Sequence, residues 1–140
     1  MTSSILKPFS LSLMVLATLA VAGCGQQSYG DLGLVTGTVT MDGQPVKEAM
    51  VTFTPSDGGR PSRGVTDESG KYELIYIRTT KGAVPGEHRV MIETIAPDQG
   101  DSYRGPAFKD PIPAKYNKKS QLTETVELGP NTLDFNLEKK

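Results

Sequence analysis

The sequence predicts an all-β fold, namely a single antiparallel Greek-key β-sandwich of about seven short strands that follows an N-terminal signal peptide. From Leu34 onward, apolar residues recur with a period of two, which is the periodicity of a half-buried strand. Turn residues separate these runs, with 15 glycines and 10 prolines in 140 residues. No window shows a helical period. Several short strands with regular turn signals are typical of a two-sheet sandwich.

The first two strands are predicted on either side of an Asp-Gly turn. The strand at 34–41 alternates, with one face made by Val35, Gly37, Val39 and Met41. Asp42 and Gly43 then supply the positive-φ positions of a turn. The second strand has an apolar face made by Ala49, Val51 and Phe53. Threonines occupy the opposite faces of both strands, including Thr52, which predicts a solvated surface.

Two further turns shape the middle of the chain. Asp67 can accept hydrogen bonds from backbone amides two or three residues on, and Gly70 can take the left-handed conformation. They connect a short strand at 62–66 to one whose predicted core face is made by Tyr72, Leu74 and Tyr76. Pro85 and Gly86 precede the next strand, whose inner face is made by His88, Val90 and Ile92.

Residues 95–118 interrupt the alternation. The segment contains four prolines and no clean period. A loop of this length is uncommon in compact domains, so it is expected to be either functional or mobile. Two last strands are predicted after it, at 122–128 and 133–138, with a turn at 129–131.

The N-terminus has the organisation of a secretory signal peptide. Lys7 precedes an apolar run at 9–22, and small residues lead to a cleavage point. The 15 residues of 9–23 are too few for an uncleaved anchor, because a membrane span needs about 20.

The tetrapeptide Val21-Ala22-Gly23-Cys24 resembles the lipobox of bacterial lipoproteins. The resemblance implies that signal peptidase recognises Val21, Ala22 and Gly23, that 1–23 are removed, and that Cys24 is acylated. Its partner is then a membrane, because two or more acyl chains hold a protein on a bilayer where one holds only reversibly. Ordinary secretion is the alternative, and it would leave the single cysteine as a reactive free thiol.

The residues after the lipobox predict location and domain limits. Gly25, and no aspartate, follows the cysteine, so we expect the protein to be exported to the cell envelope and anchored in the outer membrane. Residues 24–33 are small and polar and are predicted to be a flexible spacer. Residues 34–140 are predicted to form the folded domain.

Composition argues against nucleic acid as a partner and against a disulfide-stabilised fold. Without 1–23 the chain has 14 basic and 16 acidic residues, whereas nucleic-acid binding favours a basic face. No disulfide is possible with one cysteine, so an apolar core must stabilise the domain. An exposed sheet edge can pair with another chain, but the sequence does not indicate an oligomeric state.

Two glycine-containing patterns resemble a known family. They are Gly37-x-Val39-(x)₃-Gly43-x-Pro45, which continues to Phe53, and Thr66-Asp67-(x)₂-Gly70-x-Tyr72-x-Leu74. Both are similar to the carboxypeptidase regulatory-like domain, a transthyretin-like (prealbumin-like) sandwich, and Pro85-Gly86-x-His88 agrees with a later strand of that family. The resemblance implies a non-enzymatic accessory domain with a binding or scaffolding role, whose partner is an envelope protein or a glycan.

A carbohydrate-binding module is the alternative function, with the 95–118 loop as its site. The loop contains three aromatic residues, Tyr103, Phe108 and Tyr116. Exposed rings can stack on sugars or anchor a partner because they offer rigid contact area. The other interpretation is that these rings fold back over an open end of the sandwich.

A hydrolase of the transthyretin-like fold is a third interpretation. Tyr103-Arg104-Gly105 is similar to part of the C-terminal Tyr-Arg-Gly-Ser motif of 5-hydroxyisourate hydrolases, but it lies far from the C-terminus. His88 is the only histidine, whereas a zinc centre needs three or four ligands. The acidic residues of the loop also lack a calcium-loop spacing. We therefore expect no catalytic residues, no metal and no cofactor.

Overall fold

The structure is a computed structural model that describes residues 30–140 and confirms the predicted all-β sandwich of two sheets. The predicted signal peptide, its recognition residues 21–23 and Cys24 lie outside the described residues. Within 30–140 the one helix is a 3₁₀ turn, Ala114–Tyr116. No helix in this part of the chain has the length and apolar character needed to cross a bilayer.

Within residues 30–140 eleven short strands replace the seven that the sequence predicts. They are β1 Gly33–Met41, β2 Gln44–Pro45, β3 Ala49–Pro55, β4 Ser62–Val65, β5 Lys71–Glu73, β6 Ile75–Ile77, β7 Thr80–Lys81, β8 Gly86–Thr94, β9 Leu122–Val126, β10 Gly129–Thr132 and β11 Phe135–Leu137. Sheet I is built on β1, with β10 and β11 along one edge and β5 and β2 along the other. Sheet II has the order β7-β6-β4-β3-β8-β9.

The last strands differ from the prediction. Residues 129–131 do not form a turn but belong to β10, and both β10 and β11 pair with β1 in parallel. The Asn131 side chain explains the difference. It accepts a hydrogen bond from the Glu127 amide (2.9 Å) and donates to the Glu127 carbonyl (2.8 Å). The Asn131 side chain thus bridges β10 back to Glu127, just after the end of β9. The backbone of β10 remains free to pair with β1.

The predicted strand around Tyr72 divides at Leu74, where the chain crosses between sheets. The amide of the buried Leu74 donates to the Val35 carbonyl in sheet I (2.9 Å). The following residues form β6 in sheet II, which pairs with β4 at Ile75 and Arg63. Because β6 does not continue the alternation of β5, Tyr76 is half-buried and lies outside the core, contrary to the prediction.

The core fills the space between the sheets with alternating residues from both. It comprises Val35, Val39, Ala49, Val51, Phe53, Tyr72, Leu74, Ala83, Val90, Ile92, Ile112, Val126, Phe135 and Leu137. Phe53 is at its centre, with ring centroids 6.2 Å from Phe135 and 5.8 Å from His88. Thr52 is buried, although the sequence predicts it on a solvated face. It lies in a central strand between the longer residues Arg63 and Met91.

Tyr72 is fixed by an irregularity between β10 and β11. There the Leu133 carbonyl turns inward and accepts a hydrogen bond from the Tyr72 hydroxyl (2.6 Å). A Cβ atom at Gly37 would overlap with this carbonyl oxygen. Asp134 Oδ1 accepts from the Thr38 amide (2.7 Å), so a side chain bonds to β1 where the backbone pairing is interrupted. The glycine and the tyrosine of the two sequence patterns therefore serve one packing arrangement.

Burial raises the pKa of the Tyr72 phenol, and the charges of Asp134 and Glu124 raise it further. An unfolded tyrosine ionises near pH 10. The stability due to Tyr72 is therefore fully present below about pH 10 and is lost as the pH rises above it.

We expect Tyr72→Phe to lower the free energy of unfolding by about 1 kcal/mol at pH 7, because the Leu133 carbonyl loses its donor. The difference in the free energy of unfolding between the variant and the wild type should shrink between pH 10 and 11.5. In this range the unfolded wild type ionises its Tyr72 phenol, which lowers the stability of the wild type alone. Urea unfolding at both pH values measures this, with Tyr103→Phe, an exposed phenol, as the control. A constant difference across this range would contradict the assignment.

The sandwich has two distinct poles. At the near pole β1 begins, and Gly33 exchanges hydrogen bonds with Ala83 (2.9 Å each). β1 ends at the far pole. There the Asp42 amide donates to the Leu137 carbonyl (2.9 Å), and the Ile95 amide donates to the backbone carbonyl of Glu48 (2.9 Å). The nine residues of β1 separate the poles by roughly 25–30 Å, given a rise of about 3.3 Å per residue.

Candidate binding surface at the far pole

The long irregular segment, predicted at 95–118, extends from the end of β8 to the start of β9 and lies at the far pole. It has two parts of different character. Residues 110–120, the anchored part, are tied to the sandwich by side-chain hydrogen bonds and by a buried apolar residue. Residues 95–109, the open part, are exposed throughout.

Asp110 is the principal tie of the anchored part. Its Oδ2 accepts from the Thr94 amide (3.0 Å) and from Asn117 Nδ2 (3.2 Å), and its Oδ1 accepts from the Ile112 amide (2.9 Å). Asn117 also donates to the Ile112 carbonyl (3.1 Å). Ser120 donates to the Val90 carbonyl (2.5 Å). These bonds attach the anchored part to β8 through the Thr94 amide and the Val90 carbonyl.

Tyr116 and Ile112 close the far end of the core. Ile112 is only 2% exposed, and Tyr116 packs against the core cluster. The Tyr116 hydroxyl accepts a hydrogen bond from the Glu138 amide (3.1 Å), which ties the anchored part to the end of β11. Of the three aromatic residues predicted as contacts, Tyr116 therefore folds back over the sandwich.

The other two rings stay at the surface. Tyr103 is 46% exposed and Phe108 is 37% exposed. Phe108 lines a groove of about 370 Å³ together with Glu48, Ile95 and Pro97. The Tyr103 ring lies against the backbone of Gly105. The structure thus separates Phe108, which faces a groove, from Tyr103, which covers its own loop.

Two further grooves at the far pole are lined by lysines. One, of about 420 Å³, lies over the anchored part and includes Lys109, Lys118 and Lys139. The other, of about 520 Å³, lies between the Asp42–Gly43 turn and the residues after β11, and it also includes Lys139. The far pole therefore presents three neighbouring concave surfaces.

The predicted turn residues are distributed over both poles. Asp42 and Gly43 have φ values of 50° and 80° and join β1 to β2. Asp67 Oδ1 accepts from the amides of Ser69 (2.8 Å) and Lys71 (3.0 Å), and Gly70 has a φ of 76°. These turns lie at the far pole.

The Pro85-Gly86 turn lies at the near pole, where Gly86 has a φ of 128° and opens β8. All the turn residues act on backbone geometry, and none of them lines the groove that contains Phe108.

His88 is wholly enclosed by the sandwich, with 0% exposure. One ring nitrogen lies 2.8 Å from the Val84 carbonyl, which can only accept, so this nitrogen, Nε2, carries the proton. His88 lies near the start of β8, whereas Tyr103-Arg104-Gly105 follows its end. The structure does not bring the elements of the hydrolase interpretation together. Within 30–140 no three His, Cys, Asp or Glu side chains are grouped as metal ligands.

Asp110 and Asn117 position the whole anchored part. This role was not predicted from the sequence, where Asp110 was considered only as one of the acidic loop residues that could bind calcium. One local signal was present, since an Asp-Pro pair at 110–111 favours turn initiation. The lysines of the two grooves were not predicted either, because the fold brings Lys109 and Lys118 together with Lys139 and Lys140 from a distant part of the sequence.

Comparison with known proteins gives limited similarity. No family model matches the chain, and no curated protein matches it. Among solved structures it is similar to a DUF3823 family protein from Parabacteroides merdae, with 17% identity and a TM-score of 0.41. The match covers 77% of this chain and 45% of that one, so this chain spans less than half the length of that structure. A likeness at this level concerns backbone shape alone.

Proposed function

We propose that this protein is a lipid-anchored lipoprotein of the cell envelope whose single carboxypeptidase regulatory-like domain binds a partner through its far pole, without enzymatic activity. The placement of the poles is the observation that carries the proposal. The chain arrives from Cys24 at the near pole, where Gly33 begins β1. The long loop, its exposed rings and the three grooves lie at the opposite end.

This arrangement suits a protein held at a membrane surface. Eight residues lie between Cys24 and Gly33, and their composition favours a flexible connection. A sandwich attached at its near pole presents its far pole away from the bilayer, toward molecules of the envelope. The outer membrane remains the proposed location, because no aspartate follows Cys24.

Carbohydrate binding is the second candidate function. Phe108 favours it, since its exposed ring borders a groove of about 370 Å³ at the far pole. Aromatic faces are common contacts for sugars and for protein partners because they bury area at little cost in conformational entropy. A protein partner and a glycan would use the same pole, so the two candidates differ in ligand and agree in surface.

The lipid anchor is tested by Cys24→Ala. We expect the wild type to fractionate with membranes and to carry an acylated N-terminus in mass spectrometry. The variant should leave the membrane fraction, because the acyl chains supply the free energy of membrane binding. It should also retain its signal peptide, because the lipobox would lack its cysteine. Ser28→Ala, outside the lipobox, is the matched control and should behave like the wild type.

A variant at Cys24 that still fractionates with membranes would refute the anchor. The partner is identified by affinity recovery of the lipidated protein from solubilised membranes. A protein recovered in fixed stoichiometry supports scaffolding, whereas recovered polysaccharide supports the carbohydrate-binding candidate.

A further inference from the structure

We infer that the lysine-lined grooves of the far pole bind an acidic polysaccharide, with Lys109, Lys118 and Lys139 contacting its carboxylate or phosphate groups. The inference rests on the proposed envelope location and names the ligand class of the same pole. Four features support it, namely the distribution of charge, the continuity of the grooves, the absence of competing ion pairs and the neighbouring aromatic ring.

Positive charge is concentrated in two segments that meet at the far pole. Residues 109–120 and 138–140 contain six lysines and two acidic residues. The rest of 30–140 contains eight basic and fourteen acidic residues. The anchored part and the end of β11 are held together by the hydrogen bond between Glu138 and Tyr116 (3.1 Å). Basic residues therefore outnumber acidic ones in these two segments, whereas acidic residues outnumber basic ones in the rest of 30–140.

The two lysine-lined grooves adjoin each other. Lys139 lines both the groove of about 420 Å³ and the groove of about 520 Å³. Lys109 and Lys118 lie on the first groove, and Lys140 lies on the second. Adjoining grooves with cations along them fit a polymer that repeats its negative groups better than they fit one small anion.

The lysines of these grooves are not used by the fold. Within 30–140 the one salt bridge joins Lys81 and Glu73, at 2.9 Å, away from this region. Two carboxylates, Glu93 and Asp110, border the first groove, and two more, Asp42 and Glu138, border the second, but within 30–140 none of the four forms a salt bridge with a groove lysine. Asp110 is already engaged by the amides of Thr94 and Ile112, while Glu93 can accept hydrogen bonds from sugar hydroxyls. The ammonium groups thus remain available for a ligand.

Phe108 favours a sugar polymer over other polyanions. It precedes Lys109 directly and borders the neighbouring groove of about 370 Å³. A ring face next to a cation matches a charged sugar, which offers both an apolar face and an anionic substituent. A bilayer is disfavoured as the ligand because these grooves lie at the pole opposite the one that the chain enters from Cys24.

The test uses the full lipidated protein in detergent micelles with three probes: polygalacturonate, polyphosphate and uncharged dextran. Lys109→Gln/Lys118→Gln/Lys139→Gln removes the groove charges. Arg60→Gln/Lys71→Gln/Arg89→Gln removes three exposed basic groups elsewhere, and it is the control with the same net charge. Melting temperatures of both triple variants should match that of the wild type, since all six side chains are exposed.

We expect the wild type to bind polygalacturonate with an affinity that falls as salt rises. The groove variant should lose about 10-fold in affinity, because three exposed ion pairs each contribute modestly. The control should change less than about 2-fold, and dextran should not bind. Phe108→Ala should weaken polygalacturonate binding but leave polyphosphate binding unchanged. Preference for polygalacturonate or for polyphosphate identifies carboxylate or phosphate as the recognised group.

Equal losses in the two triple variants would overturn the inference, because they would indicate attraction by net charge alone. The absence of polyanion binding, or tighter binding to phosphatidylglycerol vesicles than to either polymer, would also overturn it. None of these results would alter the fractionation of the wild type with membranes. A failure of the inference is therefore distinguishable from a failure of the proposed function.

Discussion

Gly37→Ala is expected to lower the free energy of unfolding by about 3 kcal/mol or more, which is the range of severe overpacking. The new methyl group would overlap with the Leu133 carbonyl oxygen and approach the Tyr72 ring. The obstacle is backbone, so it cannot move without separating β10 and β11 from β1. The Tyr72–Leu133 hydrogen bond would be lost in the same movement.

Gly105→Ala is the matched control for this prediction. The atoms nearest to its new methyl group would belong to the Tyr103 side chain, which is 46% exposed and can rotate away. We expect a change below about 0.5 kcal/mol at such a surface position. Urea unfolding followed by circular dichroism measures both variants. Comparable stability of Gly37→Ala and the wild type would show that Leu133 does not turn inward.

Phe53→Ala is expected to cost about 3–5 kcal/mol, the usual range for removing a buried aromatic ring. Phe53 is 0% exposed and contacts both Phe135 in sheet I and His88 in its own sheet. Its loss would leave a cavity between the sheets. The cavity would also border the His88 ring, which is hydrogen-bonded to the Val84 carbonyl. Because a domain of this size is only marginally stable, such a loss would be a large fraction of its free energy of unfolding.

Phe108→Ala makes the same chemical change at the surface and is the internal comparison. Because Phe108 is 37% exposed and lies outside the core cluster, we expect it to cost about 1 kcal/mol or less. Thermal melts of the two variants under one condition compare them directly. Equal destabilisation would mean that Phe108 supports the fold, and its assignment to a binding surface would then be wrong.

These two predictions concern the residues on which the family resemblance depends. Gly37 and Tyr72 meet at Leu133, Tyr72 and Phe53 both pack against Phe135, and Gly70 shapes a turn by its φ of 76°. Such residues specify packing and backbone path. They are therefore informative about fold and silent about ligands, because function depends on sites placed on a fold.

Local sequence patterns are sufficient to predict the alternation in β1, β3 and β8, the turns at Asp42-Gly43 and Asp67-Gly70, and the position of the long loop. Each of these depends on neighbours a few residues away, through side-chain periodicity and local φ preferences. Cys24 and its lipobox are likewise a local signal, and they remain predictions about residues outside 30–140.

Contacts between distant parts of the chain produce the crossing at Leu74 and the parallel pairing of β10 and β11 with β1. They also place Tyr116 on the core while Phe108 borders a groove, and they bring Lys109 and Lys118 beside Lys139. These features depend on contacts between residues far apart in the chain, such as the Asn131 bond to Leu34 (3.2 Å) and the Glu138 bond to Tyr116 (3.1 Å). No local period encodes such contacts, because they arise only when the two sheets close on each other.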